Sequence, residues 1–203
     1  GGLLMAKIIM PDDEDNLPAQ DNIEISSIKS PHSNVILAAA VGASDGVKLA
    51  VNIGAMLIAF VALIALFNGL IGGVGAFVGI EGLTMQKILG WVFSPLMFLL
   101  SIPWEEAQAA GALFGEKLIL NEFVAYSHLT DYLSGMSEKT VAIVTFSLCG
   151  FANFASIAVL MGSIGSLLPE KKELIARFGI KAVAAGSLSN LMSAAFVGLL
   201  FGL

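Results

Sequence analysis

Apolar residues run through this chain in long blocks separated by short polar or charged segments. No Asp, Glu, Lys or Arg lies between Lys48 and Glu81, between Lys139 and Glu170, or after Lys181. A helix needs about 20 apolar residues to cross a bilayer. The pattern therefore predicts spans at VNIGAMLIAFVALIALFNGLIGG, at Thr140–Pro169 and at Ala182–Leu203. The opening run GGLLMAKIIM, residues 1–10, is too short to span and has no basic n-region, so it reads as the end of a truncated transmembrane helix rather than a signal peptide.

The segments between the blocks are equally informative. PDDEDNLPAQDN opens an acidic, proline-broken loop over 11–32. Residues 33–80 read as a short helix, capped by Ser33, followed by the first full span, which the glycines from Gly69 to Gly79 are expected to end. LTMQKILGWVFSPLMFLLSIPW is amphipathic and carries Trp91 and Trp104 near its ends, so 81–103 reads as an interfacial helix. Residues 104–136 are moderately apolar but include Glu116, Lys117, Asn121 and Glu122. They make a poor span and a plausible re-entrant hairpin, which is tolerated at membrane depth when buried in protein or lining a cavity. Residues 137–169 hold Gly150, Asn153 and Ser156 in mid-span and read as a broken transmembrane helix. A basic loop at 170–181 and a last span at 182–203 complete an all-α membrane protein.

Composition agrees. Hydrophobic residues make up 57%, charged residues 13%, and the mean hydropathy is +0.87. Soluble domains carry about 25% charged residues, so this surface is too apolar for water. One cysteine excludes a disulfide scaffold, and a net charge of −6 without a basic stripe argues against nucleic acid. Lys171, Lys172, Arg177 and Lys181 place the 170–181 loop in the cytoplasm by the positive-inside rule. Lys7, Lys29 and Lys48 then fall on the same side, which makes seven of the ten basic residues. The acidic loop is also cytoplasmic in this topology, and the C-terminus lies outside.

Soluble-enzyme motifs are absent: no HExxH, CxxC, P-loop or GxSxG occurs. Gly73, Gly75 and Gly79 follow a membrane helix rather than a strand, so they are no dinucleotide fingerprint. His32 and His128 are far apart, and Cys149 reads as a small core residue. No metal-ligand set is expected. Ionisable groups at membrane depth are costly and usually functional, which singles out Glu122 within LILNEFVAY, unless it simply reaches water at a helix end. Asn153 and Ser156 share one helix face beside Gly150. They fit either the polar packing of membrane helices or a transporter site on a discontinuous helix. Gly111 with Gly115, and Gly198 with Gly202, imply only close helix packing.

GWVFSPLMFLLSIPWEEA, GALFGEKLILNEFVAYSHL, SEKTVAIVTFSLCGFANFASIAVLMG and GIKAVAAGSLSNLMSA resemble the C-terminal half of the bacterial-type concentrative nucleoside transporters, NEFVAY and CGFANFASIA most specifically. The resemblance covers nearly the whole chain except the acidic loop. It implies a homotrimer in the bacterial inner membrane that takes up nucleosides with sodium or protons. It places Glu122 at the hairpin tip as acceptor for ribose hydroxyls, Asn153 and Ser156 on ribose from the broken helix, Phe151 in the pocket wall and Asn121 beside the site. The base-reading hairpin and the coupling-cation site would lie in the N-terminal half; no other cofactor is implied. Two other readings stand beside it: a channel or gate with Glu122 lining a pore, and an intramembrane enzyme using Glu122 as acid or base. Base preference and the choice of cation are not legible in these residues.

Overall fold

The computed structural model describes residues 1–11, 33–167 and 172–201. Among these, regular structure is entirely helical: α1 (Gly2–Ile9), α2 (Val35–Phe77), α3 (Met85–Leu99), α4 (Trp104–Ile119), α5 (Glu122–Tyr132), a 3₁₀ turn (Leu133–Gly135), α6 (Glu138–Leu148), α7 (Phe154–Leu167) and α8 (Lys172–Leu200). The acidic loop lies outside the described residues except at Pro11.

The chain divides into two units, residues 12–65 and residues 1–11 with 66–203. In the first, the described part is the opening of α2. Its cap is Asn34 rather than Ser33: the Asn34 Oδ1 accepts a hydrogen bond from the Leu37 N–H at 2.8 Å, which satisfies one of the donors a helix start leaves unpaired. Asp45 and Lys48 form an exposed ion pair at 3.3 Å. Val35, Ile36, Val51 and Ile58 are exposed, as expected of a helix whose solvent is lipid.

The stretch read as a short helix plus a span forms one helix. It contains no proline, and it runs through Gly69, Gly72 and Gly73 to end at Phe77. The stop comes where Gly79 takes a φ of +79° and Gly82 a φ of +63°, left-handed values that glycine adopts without steric cost.

In the second unit, Thr84 caps α3 by accepting from the Lys87 N–H at 3.2 Å. Helix α3 ends before Ser101, whose φ is +68°, and α4 leaves at a bend of 117°. The two helices pack at backbone contact. A Cβ on Gly111 would lie 2.9 Å from the Gly90 carbonyl oxygen, and one on Gly115 would lie 2.7 Å from the Leu89 Cβ. The Gly111–Gly115 pair therefore serves the α3–α4 interface. Phe93 and Phe114 meet edge to face at 5.3 Å. The core gathers Met97, Leu113, Phe114, Ile143, Leu148 and Leu191 from α3, α4, α6 and α8.

Helix α8 is long and apolar enough to cross a membrane. Its 29 residues begin at Lys172, so Lys172, Arg177 and Lys181 are helical rather than in a loop. The segment KELIARFGIK consists largely of good helix formers, and nothing in it stops a helix. At 1.5 Å per residue α8 reaches about 44 Å, beyond a hydrocarbon core of about 30 Å, and its basic first turns take up the excess length.

Candidate functional site: two helix breaks that meet

Neither α4, α5, α6 nor α7 alone reaches the length of a full span. They come as two broken pairs. Helix α4 gives way to α5 at Leu120 and Asn121, with α4 and α5 packed on each other. Helix α6 gives way to α7 over residues 149–153.

Each break ends in a new helix start capped by asparagine. Asn121 is extended (φ −166°, ψ 169°), and its Oδ1 accepts from the Val124 N–H at 2.9 Å. Asn153 Oδ1 accepts from the Ser156 N–H at 2.8 Å. The Ser156 hydroxyl donates to the Asn153 carbonyl at 2.6 Å and accepts weakly from the Asn153 N–H at 3.4 Å. Asn and Ser are favoured at such positions because their short side chains reach the orphan N–H groups.

The two starts meet. Asn153 Nδ2 donates to Glu122 Oε2 at 3.0 Å. Glu122 occupies the first turn of α5, where the partial positive charge of the helix start favours a carboxylate. Asn153 is 1% exposed and Ser156 is 7% exposed; Glu122 and Asn121 are half-buried. The structure thus brings Glu122, Asn121, Asn153 and Ser156 together. Phe151 lies in the α6–α7 break and is exposed. It lines a cavity of about 450 Å³ with Ser156, Gly179, Val183 and Asn190.

Three contacts brace the breaks. The Tyr126 hydroxyl donates to the Thr145 carbonyl at 2.7 Å, tying α5 to the last turns of α6. Glu106 Oε2 accepts from the Ser137 N–H and hydroxyl, both at 3.0 Å, just where α6 starts. Gly150 has no room for a Cβ because the Asn190 side chain packs against it.

The sequence pattern does not reveal Asn68, Gln86, Glu116, Tyr126 or His128 as members of polar contacts. Glu116 carries a signal, as a carboxylate in an apolar helix, but its partners are too distant in sequence for spacing to show them. Among the described residues there is no group of three His, Cys, Asp or Glu able to hold a metal.

Two facing helix breaks joined through a carboxylate and an amide, in an apolar all-helical chain, are the architecture of secondary-transporter sites. Comparison with known proteins agrees. The family described as "Na+ dependent nucleoside transporter C-terminus" matches residues 1–198, and the chain belongs to that family. It is 51% identical to the nucleoside permease NupC of Helicobacter pylori, over all of this chain and 49% of the permease. It is 33% identical to sodium/nucleoside cotransporter 1 of Oryctolagus cuniculus, over 98% of this chain and 32% of the cotransporter. It superposes on an outward-facing structure of a substituted CNTnw with a TM-score of 0.86 and 49% identity, covering 99% of this chain and 48% of that one. The chain thus spans at most about half the length of these relatives. The family is one of membrane transporters, not enzymes, so the enzyme reading of Glu122 falls.

Proposed function

We propose that this chain is the part of a nucleoside:cation symporter that holds the ribose of the substrate, with the cation being sodium or a proton. The observation that carries the reading is the Glu122–Asn153 contact at 3.0 Å between two helix starts. A carboxylate is acceptor-only when ionised, and ribose presents hydroxyl donors. Glu122 would accept those hydroxyls, Asn153 and Ser156 would add an amide and a hydroxyl, and Asn121 would hold the start of α5 in place. Phe151, exposed beside Ser156, would close the pocket wall.

Alternating access would move the α4–α5 hairpin and the α6–α7 pair together, since Glu122–Asn153 and Tyr126–Thr145 join them. The names of the relatives, permeases and cotransporters, favour this over a pore lined by Glu122. The base-reading elements and the coupling-cation site would lie in the part of the relatives' length that this chain does not cover. A homotrimer in the bacterial inner membrane, with the C-terminus outside, completes the proposal.

The deciding experiment is calorimetric titration of uridine into the complete transporter carrying Glu122→Gln. Hydrogen bonds to charged groups contribute about 1.5–3 kcal/mol, so affinity should fall about tenfold to a hundredfold. Affinity within about twofold of the parent would remove Glu122 from the ribose site.

A further inference from the structure

A second polar cluster lies on the same hairpin. Glu116, on the last turn of α4, is fully buried. His128 Nδ1, on α5, sits 3.0 Å from each of its two carboxylate oxygens. On the other side Gln86 Nε2, from α3, donates to Glu116 Oε1 at 2.8 Å. Asn68 Nδ2, from the last turns of α2, donates to Gln86 Oε1 at 3.0 Å, and Asn68 Oδ1 accepts from the Met85 N–H at 2.8 Å. One hydrogen-bonded line thus runs from α2 through α3 and α4 to α5.

We infer that Glu116 and His128 form a proton-binding site that sets how firmly α5 is held to α4, and through Glu116 to the Gln86–Asn68 line. An ionised carboxylate only accepts hydrogen bonds, so the contact requires the imidazole proton on Nδ1. Nε2 is then the nitrogen that takes up or gives away a second proton, and imidazole is the side chain whose charge changes around neutral pH. The His128 side chain is 35% exposed while that of Glu116 is 0% exposed, so water reaches the imidazole half of the pair. With Nε2 bare, a neutral ring donates to a buried carboxylate. With Nε2 protonated, the contact becomes an ion pair, and the bond between α4 and α5 strengthens.

The surroundings fit such a site. Helix α4 contributes Lys117, buried and with no hydrogen-bond partner among the described residues, and Glu105 and Glu106 at its first turn. Helix α5 adds Asp131 and Tyr132 near its end, and α3 adds Lys87. The described end of α2, residues 66–77, holds no titratable group, and α6 brings only Glu138 and Lys139 at its start. Glu105, Lys87, Gln86 and Tyr132 line a cavity of about 340 Å³ beside the cluster. Glu122 opens the same helix that carries His128, so a change of grip at His128 acts on the helix that presents Glu122.

The inference rests on the nucleoside reading for one of its two readouts. The complete transporter, in vesicles with identical buffer on both sides, is assayed for equilibrium exchange of radiolabelled uridine at about pH 5.5 and about pH 8, on either side of the imidazole range. The change from a charge-assisted hydrogen bond to an ion pair should slow exchange by the parent at acid pH by about fivefold. His128→Gln and Glu116→Gln should abolish that difference. A His128→Gln protein with the parent's acid-to-alkaline ratio would overturn the inference. No exchange by the parent at either pH would overturn the nucleoside reading instead. The second readout then decides: the melting temperature of the purified parent should rise toward acid pH relative to that of His128→Gln. An equal pH response in both would overturn the proton site. His128→Gln carries the decision because its side chain reaches solvent and its replacement leaves the buried packing in place, whereas Glu116→Gln alters a fully buried group.

Discussion

The side-chain amide of Asn153 divides its two ends between two helices: Oδ1 accepts from the Ser156 N–H at 2.8 Å, and Nδ2 donates to Glu122 at 3.0 Å. The first contact builds α7, and the second ties α7 to the hairpin. The two jobs can be separated by substitution.

Asn153→Ser keeps a capping oxygen but removes the amide donor. It should cost stability through the lost bond to Glu122 and lower uridine affinity about tenfold or more, while the start of α7 stays capped. Asn153→Ala should lower affinity as well and be about 1 kcal/mol less stable than Asn153→Ser, through the lost cap. Melting curves and titration on the two proteins, side by side, check the separation. Equal stability of the Asn153→Ser and Asn153→Ala proteins would show that the cap is unimportant.

Tyr126→Phe removes only the hydroxyl that donates to the Thr145 carbonyl at 2.7 Å. A destabilisation of about 1 kcal/mol is expected, read as a lower melting temperature in detergent, with uridine affinity near the parent's. A large affinity loss without a change in melting would place Tyr126 in contact with substrate instead.

Glycine substitutions should sort by what surrounds each backbone. Gly111→Ala drives a Cβ to 2.9 Å from the Gly90 carbonyl oxygen, and overpacking of this kind costs about 1–3 kcal/mol. Gly42→Ala, with nothing within 4 Å, should be neutral or stabilising by up to about 1 kcal/mol through helix propensity. Fluorescence-detected size exclusion after heating ranks both against the parent; a Gly111→Ala protein as heat-resistant as Gly42→Ala would refute the close α3–α4 contact.

Sugar recognition is tested with ligands alone. A 2′,3′-dideoxynucleoside leaves Glu122, Asn153 and Ser156 without their hydroxyl partners, and sites built to bond hydroxyls reject analogues that lack them. Competition against radiolabelled uridine should be poor for the dideoxy analogue and for the free base. Equal competition by the dideoxy compound would move the sugar away from these residues.

Much of this arrangement is legible from residue type and position. Glu122 stands out as a carboxylate among apolar neighbours, and Asn153 with Ser156 as polar groups in mid-span, because the bilayer makes such residues expensive. What those residues touch is not legible, since the Glu122–Asn153 bond joins segments whose approach is decided by the packing of four short helices. The Asn68–Gln86–Glu116–His128 line is hidden for the same reason. In the sequence Glu116 only spoils a span, while Asn68 and Gln86 look like incidental polar residues. The start of α8 at Lys172 is obscured because a run of charge suggests a loop, although Lys, Glu and Arg are good helix formers.

The double duty of Asn153 also bears on chemical ageing. As a helix cap, asparagine and aspartate are nearly interchangeable, so hydrolysis of the side-chain amide would leave α7 with an adequate start. It would, however, set a second carboxylate against Glu122 where an amide donor now lies at 3.0 Å, turning the attraction between hairpin and broken helix into repulsion. With only 1% of its surface exposed, Asn153 is shielded from the water that such a change requires. The Asn153→Asp protein would be the aged form made in one step, folded in each of its helices and divided where they meet.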